Sequence, residues 1–317
     1  PEIVADRLTM AGLEVDAVEH TGSDLAGVVA ARVVNVESHP NADRLRVCTV
    51  EAGPGELHSV VCGAPNVAVG QMVPFARAGA TLPGGVQITA GEIRGVASAG
   101  MLCSAREIGA AEDDQGLLEL PADGPLGHDV AELLGLADIV LELSITPNRG
   151  DCLSVLGIAR EVAALTGAAR RSPAVAPETG GAVGEDAGVI PISIADPTGC
   201  GRYSGRLLHG VCVAPSPLWM QARLRAVGIR PINNVVDVTN YVLIERGQPL
   251  HAFDADRLPA REITVRRAGP GNRFTTLDGQ VRELDGDDIV ITSGGVPVAL
   301  AGVMGGQDSE VVDATTN

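Results

Sequence analysis

Residues 233–257 gather side chains whose chemical types can bind and orient a substrate. Six of its polar or charged side chains stand around one predicted helix and the turn behind it, namely those of Asp237, Thr239, Asn240, Glu245, His251 and Asp254. An imidazole can orient a water, and hydroxyl, amide and carboxylate groups can position the group which that water attacks. The same spacing also fits a capped amphipathic helix followed by a histidine that hydrogen-bonds to a neighbour. Spacing alone leaves both interpretations open.

One helix and the turn behind it are expected to hold these side chains. Asn233 suits the N-cap, and Gly247 stands where a left-handed C-cap would fall. Between them apolar residues recur at helical spacing, namely Val235, Val238, Tyr241 and Val242. Residues 248–254 are predicted to follow as a short extended run.

The composition predicts several packed domains. The chain has 317 residues, 45% of them apolar, so we expect two or three domains with aliphatic cores. Its six cysteines are scattered without a CxxC pair, which favours reduced, buried thiols over disulfides or a zinc site. The longest apolar run, 296–304, is too short to span a bilayer, and no signal peptide opens the chain. We therefore expect a cytoplasmic protein with no bound metal and no membrane contact.

Charge is distributed unevenly along the chain. The formal net charge of −17 argues against wholesale binding of a polyanion. Residues 111–143 carry nine acids and no arginine, whereas residues 202–267 carry ten arginines against five acids. We expect phosphate contacts mainly from the second window, with Arg223, Arg225 and Arg230 as candidates. A solvated charged face is the alternative.

Short strands separated by Gly, Pro and Asn turns predict a small closed barrel of five strands in residues 27–110. Three of its segments, HPNADRLRVCTV (39–50), VCGAPNV (61–67) and IRGVASAGMLCS (93–104), resemble the tRNA-binding OB-fold module. Arg44 and Arg46 are its candidate RNA contacts. Because six acids balance its six arginines and Phe75 is its only aromatic residue, packing between domains is the alternative to RNA contact.

The rest of the chain predicts a linker followed by a mixed domain. Residues 171–189 are rich in Pro, Gly and Ala and lack periodicity. Beyond them strands outnumber helices, and Asp278-Gly279 is expected to turn a hairpin. The segment YSGRLLHGVCV (203–213) is one of the predicted strands. We expect an α+β domain with a mixed or antiparallel sheet.

Two further motifs resemble the bacterial phenylalanyl-tRNA synthetase beta subunit: SITPNRGDCLS (144–154) and VVDVTNYV…GQPLHAFD (235–254). With the OB-like segments, the resemblance covers nearly the whole chain. It implies an α+β multidomain fold with an OB-fold β-barrel, residues 27–140 with the acidic exit segment, inserted into a small α+β domain made of residues 1–26 and 141–170. A mixed α+β editing domain of the B3/B4 type, residues 190–317, follows the linker.

The resemblance also implies a function. The family binds tRNA(Phe) and hydrolyses mischarged Tyr-tRNA(Phe), in support of ATP-dependent charging by the alpha subunit of an α2β2 heterotetramer. Thr239 and Asn240 match pocket positions that would orient the ester and the terminal adenosine, and His251 would orient a water or a ribose hydroxyl. Ala301 and Gly302 match the backbone that lines the pocket. No cofactor is expected in this chain; ATP and magnesium are expected for the complete enzyme.

Some features of the family lie outside the resemblance. The strand that carries its tyrosine-recognising glutamate would begin just beyond Asn317, and its aminoacylation site is on the alpha subunit. The chain has no initiator Met and its first helix pattern begins abruptly, so we expect a fragment whose first element has been cut. The resemblance implies that this fragment corresponds to the N-terminal part of the family. A structural, tRNA-docking fragment without editing activity of its own is therefore the alternative to a hydrolase.

Overall fold

A computed structural model describes residues 1–22, 25–112, 114–171 and 190–317. The chain divides into two compact units, one made of Pro1–Thr146 with Pro217–Arg230 and the other of Pro147–Ser216 with Pro231–Asn317. Apart from residue 171, the predicted linker lies outside the described residues. Within the described ranges, no helix combines the length and apolar character needed to cross a bilayer.

Helices and short strands occur along the whole described chain. The helices are α1 (Glu2–Met10), α2 (Val130–Leu133), α3 (Val155–Thr166), α4 (Leu218–Ala226) and α5 (Asn234–Arg246). The strands are β1 (Glu14–Thr21), β2 (Val28–Ser38), β3 (Arg46–Glu51), β4 (Leu57–Cys62), β5 (Met72–Arg77), β6 (Thr81–Leu82), β7 (Val86–Gln87), β8 (Gly91–Ile93), β9 (Val96–Ser98), β10 (Gly100–Leu102), β11 (Asp138–Ser144), β12 (Ile192–Ile194), β13 (Ile263–Arg267), β14 (Arg273–Thr275), β15 (Val281–Glu283), β16 (Ile289–Ser293), β17 (Val296–Leu300) and β18 (Met304–Gly305). The predicted mixture of helices and strands is confirmed.

The first unit contains a nearly closed, barrel-like sheet. Its strand order is β10-β5-β2-β3-β4, and every neighbouring pair is antiparallel. The edges of the sheet meet because Ala99 N donates to Ser59 O over 2.8 Å and Val61 N donates to Ser98 Oγ over 3.0 Å. Strand β2 has 11 residues, enough to pair with both β3 and β5.

Apolar side chains on both faces of β2 explain why this sheet curves around a core. Successive residues of a strand face opposite sides, so Val28 and Ala30 join one buried cluster while Val29 and Val33 join another. Phe75 is fully buried in the second cluster. The only aromatic side chain of the barrel therefore belongs to its core and is not available to stack on a base.

Strands β1 and β11 bring together the two segments that flank the barrel in the sequence. They pair antiparallel, from Glu14 opposite Ser144 to Thr21 opposite Asp138. An inserted barrel requires the chain to return in this way to the segment that it left.

Two helices pack with a different part of the chain from the one with which the sequence analysis grouped them. Helix α3, grouped with residues 1–26, lies in the second unit because it packs against α5. Helix α4, grouped with residues 190–317, lies in the first unit because Leu218 packs against an apolar cluster of the barrel. Packing between residues far apart in sequence decides both assignments.

The second unit is built on a mixed sheet of order β12-β13-β16-β17-β18. Strands β12 and β13 are parallel, and the other pairs are antiparallel. Strands β14 and β15 form the hairpin predicted at Asp278-Gly279, with Gly279 at φ 75°. The predicted mixed sheet and its hairpin are confirmed.

One predicted strand is not formed. Residues 203–213 have the apolar pattern of a strand, but the structure assigns none to them. Val211 N donates to Thr316 O over 2.9 Å, and this bond does not extend into a ladder. The prediction was wrong because a strand needs a neighbouring strand as well as a suitable sequence.

Helix α5 begins and ends where the sequence predicts. The Asn233 side chain accepts hydrogen bonds from Val235 N and Val236 N, and Gly247 closes the helix at φ 74°. Asp237 in its first turn is fully buried. Its carboxylate accepts a hydrogen bond of 2.5 Å from Ser216 Oγ and one of 2.8 Å from Ile232 N.

Replacing Asp237 with Ala should destabilise the second unit. The change leaves the hydroxyl of Ser216 and the amide of Ile232 without their acceptor, which costs about 2–4 kcal/mol of unfolding free energy. Urea denaturation followed by circular dichroism measures it. Asp287→Ala is the control, because that side chain is 94% exposed and its loss should cost under about 0.5 kcal/mol. Equal losses in the two variants would contradict the assigned role of Asp237.

Candidate functional site

The imidazole of His251 lies against a glycine in the mixed sheet of the second unit. The residue follows α5 in an irregular run, and its ring contacts Phe253 edge-on with a centroid distance of 4.6 Å. A Cβ atom added to Gly305 of β18 would overlap the His251 ring. Only glycine at position 305 therefore lets the imidazole approach the backbone this closely.

The surroundings of this ring affect its ionisation. The residue as a whole is exposed, but the ring loses water where it packs on Gly305 and Phe253. This desolvation lowers the pKa of His251 from its ordinary value of 6.5, so the imidazole is neutral at pH 7. Neither ring nitrogen hydrogen-bonds to a described residue, and a neutral imidazole offers one donor and one acceptor. The ring can therefore bind a water or a hydroxyl group.

The turn at Ala301 and Gly302 leads directly into the strand that contacts this imidazole. It joins β17 to β18, and Gly302 adopts φ 73° with open space where its Cβ would lie. Ala301 N donates to Ile289 O over 2.9 Å, and Val303 N donates to Leu300 O over 3.1 Å. The 301–302 turn is thus joined through two residues to Gly305, the glycine on which the His251 ring packs.

Thr239 and Asn240 lie on α5 and take no part in these contacts. Thr239 Oγ1 donates to Val236 O over 2.6 Å within the helix. The amide of half-buried Asn240 makes no hydrogen bond among the described residues. In the same set, no hydrogen bond or ring contact joins either side chain to His251 or to the 301–302 turn. The structure therefore associates His251 with the 301–305 segment and does not by itself bring the helical pair to it.

The other three of the six candidate side chains have structural partners. Asp254 is buried and accepts hydrogen bonds from Thr315 Oγ1 (2.6 Å) and Asp256 N (3.0 Å). Glu245 forms an ion pair with Arg246 over 2.8 Å. The Asp237 carboxylate accepts a hydrogen bond from Ser216 Oγ, a contact that the sequence did not predict because the two residues are 21 positions apart. Of the six side chains, His251 and Asn240 are the two that make no hydrogen bond or ion pair with a described residue.

The arginine candidates fall into two groups. Arg225 donates to Ala110 O and to Gln221 Oε1, so its guanidinium is used inside the first unit. Arg223, Arg230 and Arg44 are exposed and have no hydrogen bond or ion pair with a described residue. Arg46 donates only to carbonyl groups of its own loop, those of Asp43 and Leu45.

Most of the positive charge in residues 202–267 is likewise held within the fold. Its arginines donate to carboxylates or backbone carbonyls at Arg246, Arg257, Arg261, Arg266 and Arg267, in addition to Arg225. The excess of arginine in this window is therefore mainly structural, a use that the charge count could not distinguish from phosphate binding.

A group with metal-ligand atoms lies outside this region. Oxygen and sulfur atoms of Asp151, Cys152 and Glu161 lie within 4.8 Å of one another. The guanidinium of Arg149 contacts all three at 2.9–3.0 Å and lowers the pKa of Asp151 to about 2. Because the Arg149 guanidinium already pairs with both carboxylates, the cluster is interpreted as a structural ion-pair network that joins the segment before α3 to that helix.

The six cysteines are unpaired. Four are buried, as predicted, whereas Cys200 is half-buried and Cys212 is exposed. Cys48 and Cys62 are neighbours in the barrel core, and the hydrogen bond between their thiols lowers the pKa of Cys62 to about 7.

Two protein families match separate parts of the chain. Residues 28–129 match the family described as "Putative tRNA binding domain", and residues 199–317 match the family described as "B3/4 domain". The first range contains the barrel-like sheet, and the second contains α5, His251 and the 301–305 segment. Both candidate regions thus lie inside recognised domains.

Curated relatives match the chain from end to end. It is 53% identical over 323 residues to the phenylalanine–tRNA ligase beta subunit of Moorella thermoacetica, covering 100% of this chain and 40% of that protein. It is 52% identical to the beta subunit of Anaeromyxobacter dehalogenans, covering 100% of this chain and 39% of the relative, and 50% identical to that of Geobacillus kaustophilus, covering 99% and 39%. The chain spans about two fifths of the length of these relatives. It belongs to the family of phenylalanine–tRNA ligase beta subunits.

Proposed function

We propose that this chain binds tRNA(Phe) and hydrolyses mischarged Tyr-tRNA(Phe) as part of a phenylalanine–tRNA ligase. The observation that carries the proposal is the neutral His251 imidazole, which packs on Gly305 and has neither ring nitrogen hydrogen-bonded to a described residue. The names of the relatives and of the two matched domains supply the substrate class.

A ligase for phenylalanine needs such a second site for a physical reason. A hydrophobic pocket rejects an isostere that carries one extra hydroxyl by only about a hundredfold. Tyrosine differs from phenylalanine by that hydroxyl, so accurate charging requires a site that hydrolyses the wrong ester after it forms.

In the proposed reaction, His251 orients the attacking water. The water oxygen bonds to the carbonyl carbon of the ester, and the bond from that carbon to the ribose oxygen breaks. Tyrosine leaves as the free acid, and the ribose hydroxyl is restored on the tRNA. The backbone at Ala301 and Gly302 leaves room for the aminoacyl group, because no side chain beyond a methyl stands there.

Thr239 and Asn240 are proposed to orient the ester and the terminal adenosine. The Thr239 hydroxyl already donates to Val236 O, so its oxygen can only accept from a substrate unless that bond opens. Asn240 can both donate and accept. This part of the proposal requires the bound substrate to reach from α5 to the run that carries His251.

The complete enzyme is proposed to be a cytoplasmic α2β2 heterotetramer. Its alpha subunit would carry aminoacylation, with ATP and magnesium, and this chain would contribute RNA binding and editing. These proposals concern the complete enzyme, which includes parts of the relatives that this chain does not span.

A second candidate function is structural docking of tRNA without hydrolysis. The absence of a contact among the described residues between His251 and the pair Thr239 and Asn240 favours it. Deacylation of Tyr-tRNA(Phe), measured with this chain and with the complete ligase, distinguishes the two. Hydrolysis by the complete ligase that disappears in the His251 variant supports editing, whereas hydrolysis by neither preparation supports docking alone.

Replacing His251 with Ala in the complete ligase should slow deacylation of Tyr-tRNA(Phe) by about a hundredfold, because the water loses its orienting partner. Phenylalanine activation should change less than about twofold, since activation is assigned to another subunit. The rates are measured by release of labelled tyrosine and by pyrophosphate exchange.

His20→Ala is the control for this substitution, because His20 is exposed on β1. The lowered pKa of His251 also predicts that deacylation is constant above pH 6.5 and falls at lower pH as the ring protonates. A His251→Ala enzyme with unchanged melting temperature and wild-type editing would exclude the residue from the site.

Replacing Gly305 with Ala should reduce deacylation by displacing the His251 ring, since the new methyl group would overlap it. We expect about a tenfold loss, smaller than that from removing the imidazole itself. Gly286→Ala is the matched control, because the nearest atom to its added Cβ is 4.0 Å away. Editing that survives Gly305→Ala at full rate would show that the position of the ring is not important for hydrolysis.

Arg223→Ala and Arg230→Ala should each weaken tRNA(Phe) binding and lower its salt dependence by about one counterion, because both guanidinium groups are exposed. Arg225→Ala should instead lower the melting temperature, because Ala110 O and Gln221 lose their donor. Filter binding across a salt series and thermal melting measure the two effects. If Arg225→Ala weakened tRNA binding while Arg223→Ala and Arg230→Ala only lowered the melting temperature, the roles assigned to these arginines would be wrong.

A further inference from the structure

Arg94 occupies a backbone position that suits other residues better. Strands β8 and β9 pair with Ile93 opposite Val96, so Arg94 and Gly95 form a two-residue hairpin turn. Their φ angles are 50° and 82°. Turns with both central residues at positive φ strongly prefer Asn-Gly or Asp-Gly. Among the described residues, Arg94 is the one non-glycine residue at positive φ.

Hydrogen bonds hold this turn to the loop at residues 39–45. The Nε2 of His39 donates to Ile93 O over 3.0 Å, while its Nδ1 accepts from Asn41 N over 3.1 Å. Asn41 Nδ2 donates to Arg94 O over 2.9 Å. His39 is only 6% exposed, so the loop and the turn are joined through a buried side chain. The strained turn is therefore fixed to the segment that carries Arg44.

The arginines on the loop at residues 39–46 and on the 94–95 turn form no ion pair with a carboxylate of the described residues. Elsewhere in the barrel Arg77 pairs with Glu56 over 3.0 Å and Arg106 with Asp114 over 2.8 Å. Arg32 donates to Ala122 O. By contrast, the exposed side chains of Arg44 and Arg94 have no partner among the described residues.

Arg46 also has no carboxylate partner there and donates only to carbonyls of its loop. Two acids, Asp43 and Glu92, lie on the same segments without forming an ion pair in the described structure. The acids nearby in sequence thus leave the three guanidinium groups available to another molecule.

We propose that Arg94, with Arg44 and Arg46, forms a binding site for backbone phosphates of a folded RNA. A residue kept in an unfavourable backbone conformation points to a role for its side chain, and guanidinium groups bind phosphate oxygens in pairs. The barrel offers no exposed aromatic side chain for stacking on bases, so contact with the sugar-phosphate backbone is the mode that remains. The inference rests on the proposed tRNA binding and locates one of its contacts.

Arg94→Asn in the complete ligase is the decisive test, since Asn favours the same turn and removes only the charge. The dissociation constant for tRNA(Phe) should rise about tenfold, and the slope of log K against log salt should fall by about one. The melting temperature should be unchanged or higher. Arg106→Asn is the control, because its guanidinium is already paired with Asp114. Arg94→Gly, which also fits positive φ, gives a second, independent substitution.

The outcomes separate this inference from the proposed function. If wild-type ligase binds tRNA(Phe) and both Arg94 variants bind it equally well with the same salt slope, the Arg94 site is wrong and the proposed function stands. Wild-type ligase that shows no binding of tRNA(Phe) overturns both. Weaker binding in the two Arg94 variants, with Arg106→Asn unaffected and editing per bound tRNA unchanged, supports the site.

Discussion

A buried carboxylate joins separate segments of the second unit to the first turn of α5. Asp237 is fully buried, and its oxygens accept hydrogen bonds from Ser216 and Ile232. A buried charge without partners is costly, so both segments must meet the first turn of α5. The helix consequently starts at a defined place, and the run with His251 leaves from its other end at Gly247.

Glycine determines what can approach the backbone at both candidate regions. Gly305 lets the His251 ring lie on β18, where a Cβ would overlap it. Gly95 completes a hairpin turn whose other position is occupied by Arg94. The two positions illustrate opposite uses of the backbone: one makes room for an imidazole, and the other keeps a cation at a strained tip. Both depend on local conformation and on a partner segment that is distant in sequence.

The charge of the chain acquires meaning only when the ion pairs are known. A net charge of −17 and an arginine-rich window at 202–267 are compatible with strong, weak or no RNA binding. In the fold, most of those arginines hold carbonyls and carboxylates, as Arg266 does with the carbonyl of Gly295. The uncommitted cations include Arg223 and Arg230 as well as those at the 39–46 loop and the 94–95 turn. Pairing, more than the number of charges, indicates where a phosphate could bind.

The sequence by itself determined the features that depend on neighbouring residues. Asn233 and Gly247 limit α5, and Asp278-Gly279 turns a hairpin, because caps and tight turns are made by backbone groups within a few positions. The motifs likewise identified the family. Only the tertiary structure decided that His251 contacts Gly305, that α3 packs against α5, and that Arg225 is committed to Ala110 O. Each of these contacts joins residues more than 50 positions apart, where no local periodicity can specify the partner.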